Sequence, residues 1–176
     1  MNLIKRTIIL ILTLEARIVL WRYRPKIIAV TGSVGKTTAK DAIFAVLSGS
    51  LYVRKSEKSF NSELGVPLAI LGLENAWRSP VGWARNMLSG IVLLFGRDYP
   101  EWLVLEVGAD RPGDIRRIAR WLKPLIAVVT GVPEIPVHVE YFDSPEALAR
   151  EKRVLAEYIQ SGGKLVLNGD DSRMVA

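Results

Sequence analysis

The segment Thr31–Thr38 reads TGSVGKTT and lies between a short apolar run and a run of helical spacing. Its glycines allow the backbone to wrap a phosphate with successive N–H groups pointing inward, and the following helix adds the positive end of its dipole. Lys36 would bridge the terminal phosphates, and the Thr37 hydroxyl would reach a magnesium ion. The strict G-x4-G-K-[ST] pattern is not met, because Val30 occupies the first glycine position. The pattern predicts a phosphate site, with an incidental strand–helix turn as the alternative. The loop residues predicted to bind the phosphates are Gly32, Ser33, Val34, Gly35, Lys36, Thr37 and Thr38.

A second candidate, Glu106, lies at the end of the continuous apolar run Trp102–Val107. A run of this kind is typical of a strand that is covered on both faces. In open parallel sheets the ligand crevice lies at the carboxyl ends of the strands. A carboxylate there can hold Mg²⁺ on nucleotide phosphates. The alternative is a solvated acid at a strand end.

The elements that would position these residues alternate along the chain. The predicted strands are Lys26–Thr31, Leu51–Arg54, Trp102–Val107, Leu125–Thr130 and Lys164–Asn168, and the predicted helices are Thr38–Leu47, Glu63–Leu73, Arg78–Phe95, Pro112–Leu122 and Ser144–Ile159. The last helix has a clear start, because Ser144 can serve as N-cap with Pro145 at the first helical position. This alternation predicts an α/β domain with a mainly parallel sheet and helices on both faces.

Length and rare residue types limit the possible chemistry. The 176 residues fit one domain. There is no cysteine, which excludes a disulfide scaffold, a thiolate nucleophile and a cysteine-based metal site. The single histidine, His138, excludes a metal site built from several histidines of one chain. We therefore expect a cytoplasmic protein.

The amino-terminal segment, residues 1–24, is predicted to form one basic, apolar helix ahead of the domain formed by residues 25–176. Residues 1–26 hold six basic side chains and one acid, whereas the other 150 residues carry a net charge of only +1. This distribution argues against a nucleic-acid partner, which would need a basic face on the folded body. It fits either a helix on the inner face of the membrane or a helix packed on its own domain or a partner. Glu15 and Arg17 interrupt the apolar run, so a spanning helix is less expected.

Six ordered segments resemble the Mur ligases, which are ATP-dependent amide ligases of peptidoglycan precursor synthesis. They are TGSVGKTT, FNSELGVP at Phe60–Pro67, LEVGAD at Leu105–Asp110, HVEYF from His138, AREK at Ala149–Lys152 and LNGDD at Leu167–Asp171. The segments occur in the order and spacing of that family, and the resemblance extends over about residues 25–176. The resemblance implies a central ATP-binding domain of the P-loop NTPase type, and the T-G-x-x-G-K-T-T variant explains the missing first glycine.

The resemblance also implies roles for individual residues. Lys36 matches the lysine of the ATP-phosphate loop, and Asn61 matches an asparagine near the nucleotide. Glu106 and His138 match two magnesium ligands. Lys152 matches a lysine that becomes carbamylated and then bridges the metal ions as an anion. In such enzymes two cations neutralise ATP while a substrate carboxylate attacks the γ-phosphate, and an amine then displaces phosphate from the acyl phosphate.

The family offers several substrates, and the LGVP and LEVGAD segments favour the members that add D-alanyl-D-alanine to a UDP-muramoyl peptide. Other Mur-type and folylpolyglutamate-type ligases share the core. Only about 24 residues stand where the family has a uridine-binding domain, and the sequence stops at Ala176. We therefore expect a carboxyl-terminal domain or subunit to be needed, and no ligase turnover by this chain alone.

Two alternatives come from other classes. One is a membrane-apposed nucleotide-binding module without catalysis, which the basic apolar helix favours. The other is a P-loop kinase or GTPase. A GTPase would need an N-K-x-D motif, which the sequence lacks. The loop itself is compatible with a small-molecule kinase, but a kinase does not account for the ligase-like order of Asn61, Glu106, His138 and Lys152.

Overall fold

The computed structural model describes residues 3–57, 60–77, 79–131, 141–142 and 144–170, so His138 lies outside the described residues. The helices are α1 Leu3–Tyr23, α2 Lys36–Leu47, α3 Gly65–Leu71, α4 Pro80–Leu93, α5 Asp114–Leu122 and α6 Pro145–Arg153, which continues as a 3-10 helix over Val154–Tyr158. The strands are β1 Lys26–Thr31, β2 Val53–Lys55, β3 Trp102–Glu106, β4 Ile126–Val129 and β5 Lys164–Leu167.

The five strands form one sheet in the order β2-β3-β1-β4-β5, and every pairing is parallel. The central strand β1 is buried along almost its whole length, as its continuous apolar run predicts. Its neighbours β3 and β4 end beside it, with Val30 opposite Glu106 and Thr31 opposite Val129. The predicted parallel α/β sheet is confirmed, and its carboxyl edge gathers the ends of three strands.

Helices cover both faces of the sheet, as predicted. On one face, Ile28, Val30 and Val104 pack beneath α2. On the other face, the alternate strand positions, including Ala29 and Leu105, form the larger core with α1, α3 and α5. The alternation follows from the period of two along a strand, which sends neighbouring side chains to opposite faces.

The ends of the helices differ from the predicted ones, and the differences at α2 and α6 have a clear structural cause. Helix α2 begins at Lys36, two residues before the predicted start, because Gly35 adopts a left-handed conformation directly after the loop. The α-helical part of α6 ends at Arg153. The tighter 3-10 turn that follows buries Leu155 completely and packs against α5. The start of α6 is as predicted, since the Ser144 hydroxyl accepts a hydrogen bond from the Ala147 N–H at 3.1 Å.

The amino-terminal helix α1 packs on the domain itself. Leu12, Ala16 and Val19 are fully buried in the main core. Helix α1 contacts α3 and α4. Within the described ranges, no helix combines the length and hydropathy that a membrane crossing requires. One side of α1 is therefore packed on its own domain, which was one of the two alternatives. The domain boundary between residues 1–24 and 25–176 stays a prediction.

Glu15 is a charged residue in the contact between α1 and α4. Its side chain is only 6% exposed, and its Oε2 atom has no hydrogen-bond partner among the described residues. The carboxylate lies against Gly90, where an added Cβ would come within 2.2 Å of Oε2. Burial raises the pKa of Glu15 from 4.5 to about 7. Below about pH 7 the native state therefore favours the neutral acid.

We expect the Glu15→Gln variant to be more stable than the wild type at pH 8, by about 2 kcal/mol. A raised native pKa means that Glu15 favours folding below pH 4.5 and that this contribution is lost as the pH rises to about 7. The free energy of unfolding in urea at pH 5 and pH 8 measures the effect. Glu101→Gln, at an exposed position, is the control. Equal pH dependence of Glu15→Gln and wild type would contradict the prediction.

Candidate nucleotide and metal site

The loop after β1 depends on two glycines with positive φ, Gly32 at +143° and Gly35 at +76°. A Cβ on Gly32 would come within 2.1 Å of the Thr130 hydroxyl, so only glycine fits there. Thr130 follows β4, and its hydroxyl lies 2.5 Å from the Val34 carbonyl. The Ser33 N–H donates to the Gly131 carbonyl at 2.8 Å. The end of β4 therefore braces the loop in a wrapped form.

The loop has polar groups that fit a phosphate ligand. Gly35 is the N-cap of α2 and has no side chain to satisfy the free N–H groups of the first turn. The buried hydroxyls of Thr31 and Ser33 have no hydrogen-bond partner among the described residues. Such groups are normally paired, so their presence together indicates a binding function. Lys36 Nζ lies 3.3 Å from the Ser33 carbonyl, across the loop.

Glu106, Thr37 and Asn61 meet at the carboxyl edge of the sheet. Glu106 is the last residue of β3 and is only 4% exposed, so it is not a solvated acid. Its Oε2 accepts a hydrogen bond from the Thr37 hydroxyl at 3.0 Å, and its Oε1 accepts one from Asn61 Nδ2 at 3.1 Å. Thr37 lies in the first turn of α2 beside the phosphate loop. The structure thus brings three of the predicted site residues into direct contact.

This donor set fits a magnesium ion bound together with a nucleotide. Carboxylate, hydroxyl and phosphate oxygens are the ligands that Mg²⁺ prefers, and it is usually held by one or two carboxylates plus substrate phosphates. In the part of the chain that the structure describes, no three His, Cys, Asp or Glu residues cluster as a metal site.

Two residues behind Glu106 were not predicted from the sequence. The Ser56 hydroxyl accepts a hydrogen bond from the Glu106 backbone N–H at 3.0 Å. Lys40 is buried on α2, and its Nζ donates to the Ser56 carbonyl at 2.8 Å. Both contacts hold the end of β3 in place. The sequence did offer one signal for this support. Lys40 is a lysine near the core-facing positions of a helix that starts at the phosphate loop.

Lys152, the predicted carbamylated lysine, is 3% exposed on α6. Its pKa is lowered to about 8, first by burial and then by the positive charge of Lys36. The adjacent Glu151 joins α6 to the start of α5. Its carboxylate accepts hydrogen bonds from the backbone N–H groups of Gly113 and Ile115 at 2.9 and 3.0 Å. The fold therefore buries Lys152 within electrostatic range of the phosphate loop.

The remaining predicted residues are less informative. Val34 and Thr38 belong to the loop and the first turn of α2, and both are exposed. Asn168 and Asp170 belong to the LNGDD segment of the family resemblance and lie exposed after β5, where the Asn168 Oδ1 accepts a hydrogen bond from the Asp170 N–H at 3.2 Å. His138 lies outside the described residues, so its predicted role as a metal ligand stays a prediction.

Comparison with known proteins supplies the family. The model of the Mur ligase middle domain matches residues 85–176. The chain is 36% identical over 150 residues to a UDP-N-acetylmuramoyl-tripeptide–D-alanyl-D-alanine ligase of Mycobacterium leprae, covering 85% of this chain and 24% of that protein. It is 32% identical over 147 residues to the ligase of the same name in Bacillus subtilis, covering 83% and 26%.

A solved structure supports the same family assignment. The MurF ligase from Thermotoga maritima in complex with ADP superposes with a TM-score of 0.71 at 28% identity, covering 93% of this chain and 32% of that one. The chain thus spans about a quarter of the length of the curated relatives it matches. Since the family match covers just over half of the chain, the sequence and fold together show that the chain belongs to the Mur ligase family and carries part of its middle domain.

Proposed function

We propose that this chain is the ATP-binding part of an ATP-dependent carbon–nitrogen ligase of peptidoglycan precursor synthesis. The reaction would add D-alanyl-D-alanine to a UDP-muramoyl peptide through an acyl phosphate. The observation that carries the proposal is the contact of Glu106 with Thr37 and Asn61 beside a phosphate loop. The names of the curated relatives and the ADP complex of the Thermotoga enzyme support the choice of substrate and nucleotide.

The residues of the loop would act by positioning and by charge. Its backbone N–H groups and Lys36 would hold the phosphates of ATP, with the γ-phosphate turned toward the substrate carboxylate. Thr37 and Glu106 would hold magnesium, which supplies positive charge against the triphosphate when it is bound. Asn61 keeps the Glu106 carboxylate oriented through its hydrogen bond. No protein nucleophile is required for this chemistry.

Lys152 would serve this site as a carbamate. A lysine reacts with carbon dioxide only as the free amine, forming a new N–C bond and releasing a proton. Burial and the charge of Lys36 lower the pKa of Lys152 to about 8, which makes the free amine accessible near neutral pH. The product carries a negative charge, and it would offset Lys36 and offer oxygen ligands to a metal ion together with His138.

The test is ¹³C NMR of the chain in labelled bicarbonate. We expect a carbamate signal that grows from pH 7 to pH 9, because deprotonation of Lys152 must precede the reaction. Lys152→Arg should abolish the signal, while Lys164→Arg, at an exposed strand position, should leave it unchanged. A signal that survives in Lys152→Arg, or no signal in the folded wild type, would contradict a carbamate on Lys152.

The wider context of the chain is part of the same proposal. We expect a peptidoglycan precursor as substrate, a cytoplasmic location and a carboxyl-terminal domain or subunit that completes the active site. The amino-terminal helix, residues 1–24, is proposed to lie at the inner face of the membrane. No contact with nucleic acid is expected, since the basic side chains concentrate in residues 1–26.

A further inference from the structure

A cavity of about 490 Å³ lies at the amino edge of the sheet, on the opposite side from the phosphate loop. Most of its lining residues come from two places where a helix leads into a strand, the junction of α1 with β1 and the junction of α5 with β4. Two tryptophans, Trp21 and Trp121, line it beside the buried Ile27 and Leu122. We call this cavity the amino-edge pocket. Its volume is in the range of small-molecule sites.

The amino-edge pocket is strongly basic, because five exposed cations line it, namely Arg17, Arg24, Lys26, Arg120 and Lys123. No acid among the described residues lines the pocket, and no ion pair found in those residues includes any of these cations. The adjoining cavity is lined by Glu101 as well as by Arg24 and Lys26. Lys26 also lies over the ring of Trp102, 5.1 Å from its centre. Most of the positive charge is therefore uncompensated.

The helix ends at the pocket account for only part of this charge. Helices α1 and α5 both end there, at Tyr23 and Leu122. Cations stabilise the carboxyl end of a helix, which carries a negative charge of about half an elementary charge. Two such ends offset about one of the five positive charges, so an excess of about four remains. That excess fits a ligand with several negative charges.

Two of the cations have an unfavourable backbone conformation. Arg24, directly after α1, has φ of +48°, and Lys123, the C-cap of α5, has φ of +43°. Glycine is the usual residue at such a position, because a Cβ is strained there. The described part of the chain has three non-glycine residues with positive φ, and two of them line this pocket. The fold therefore accepts strain at both positions to place a cation there, as functional sites commonly do.

The pocket offers groups for two parts of a ligand. Arginine and lysine bind phosphate oxygens through charge-assisted hydrogen bonds. Tryptophan rings stack on nucleobases of any type, and Trp21 is available for this because it is 73% exposed. Arg17 and Trp121 also line the apolar groove of about 820 Å³ between α1 and α5. A group linked to the phosphates therefore has room along the protein.

We propose that the amino-edge pocket binds a nucleoside diphosphate, or a ligand linked to one, with the phosphates on the cations and the base on a tryptophan. Inorganic phosphate would leave most of the cations without a partner, and a lipid headgroup would lack the base. The six residues of β1 separate this pocket from the phosphate loop by roughly 17 Å. The two sites are therefore distinct, and the proposal does not depend on the proposed function.

The test is calorimetric titration of UDP into the full chain, without magnesium and at low salt. We expect saturable binding, about tenfold tighter than that of inorganic pyrophosphate because the base stacks. Arg24→Gly combined with Lys123→Gly should weaken it about a hundredfold, at roughly tenfold per charge-assisted hydrogen bond. Glycine suits both backbone conformations, so this variant should unfold at no lower temperature than the wild type. Lys123→Arg should retain the affinity, and so should Arg85→Gln, which removes an exposed charge of α4 outside the pocket.

Several results would overturn the proposal. Binding to phosphatidylglycerol vesicles without any binding of UDP would identify the cations as part of a membrane contact. Equal affinities for UDP and pyrophosphate would remove the base from the site, and equal losses in Arg85→Gln and the double glycine variant would make the effect one of net charge. Loss of UDP binding in Lys36→Ala would place UDP in the phosphate loop. The same variant separates the two proposals, since it should lose Mg-ATP affinity while it keeps UDP affinity.

Discussion

Replacing Lys36 with alanine should weaken the binding of Mg-ATP to this chain about a hundredfold. Lys36 follows the left-handed Gly35 at the start of α2, and its ammonium group lies over the loop that carries the unpaired Ser33 hydroxyl. A hydrogen bond between an ammonium and a phosphate is charge-assisted, and its loss costs about 3 kcal/mol. That corresponds to about a hundredfold weaker affinity. Isothermal titration calorimetry of Mg-ATP into both proteins measures it.

The matched control for this variant is Lys164→Ala. Lys164 is an exposed lysine at the first residue of β5, at the amino edge of the sheet and so on the opposite side from the loop. The Lys164→Ala substitution removes the same charge from the protein without changing the site. Wild-type affinity in Lys36→Ala, or an equal loss in both variants, would mean that the loop lysine does not hold the phosphates.

Glu106→Gln should remove the magnesium dependence of nucleotide binding. The two side chains have the same shape, so contacts with Thr37 and Asn61 are largely kept while the negative charge is lost. We expect magnesium to strengthen binding of ATP to the wild type about tenfold or more, because the carboxylate is the charged protein ligand. In the variant, affinities with magnesium and with EDTA should agree. Calorimetry under both conditions gives the two values.

Glu101→Gln serves as the control, since Glu101 is exposed and lies five residues earlier, just before β3. It should retain the full magnesium effect. Thermal unfolding of each variant establishes that the fold is kept. A magnesium effect of wild-type size in Glu106→Gln would place the ion elsewhere.

Much of the site follows from local sequence. The pattern TGSVGKTT predicts a turn between a strand and a helix, because only glycine tolerates the required backbone conformations. Glu106 ends a strand too apolar to be exposed, and parallel strands bring their carboxyl ends to one edge of the sheet. These two facts predict that Thr37 and Glu106 lie at the same edge of the sheet, whereas their direct contact also depends on the pairing of β1 with β3. Ser144 and Pro145 likewise predict the start of α6.

Other contacts could not be predicted in this way. Asn61 reaches Glu106 across 45 positions of the chain, and Lys40 supports Glu106 only through Ser56. The burial of Lys152 depends on the hydrogen bonds of Glu151 to the start of α5. Each of these contacts joins elements that are distant in sequence. Local patterns cannot fix how such elements approach one another.

The sequence by itself determined the α/β class, the phosphate loop and the acid at the end of β3, because periodicity and glycine positions act within a few residues. It left open which side of α1 is buried, since apolar residues surround most of that helix. Only the tertiary structure decided this, placing Leu12, Ala16 and Val19 in the core and leaving Leu10, Leu14 and Trp21 exposed. The reason is that burial depends on long-range packing, which selects one face among several that are equally hydrophobic.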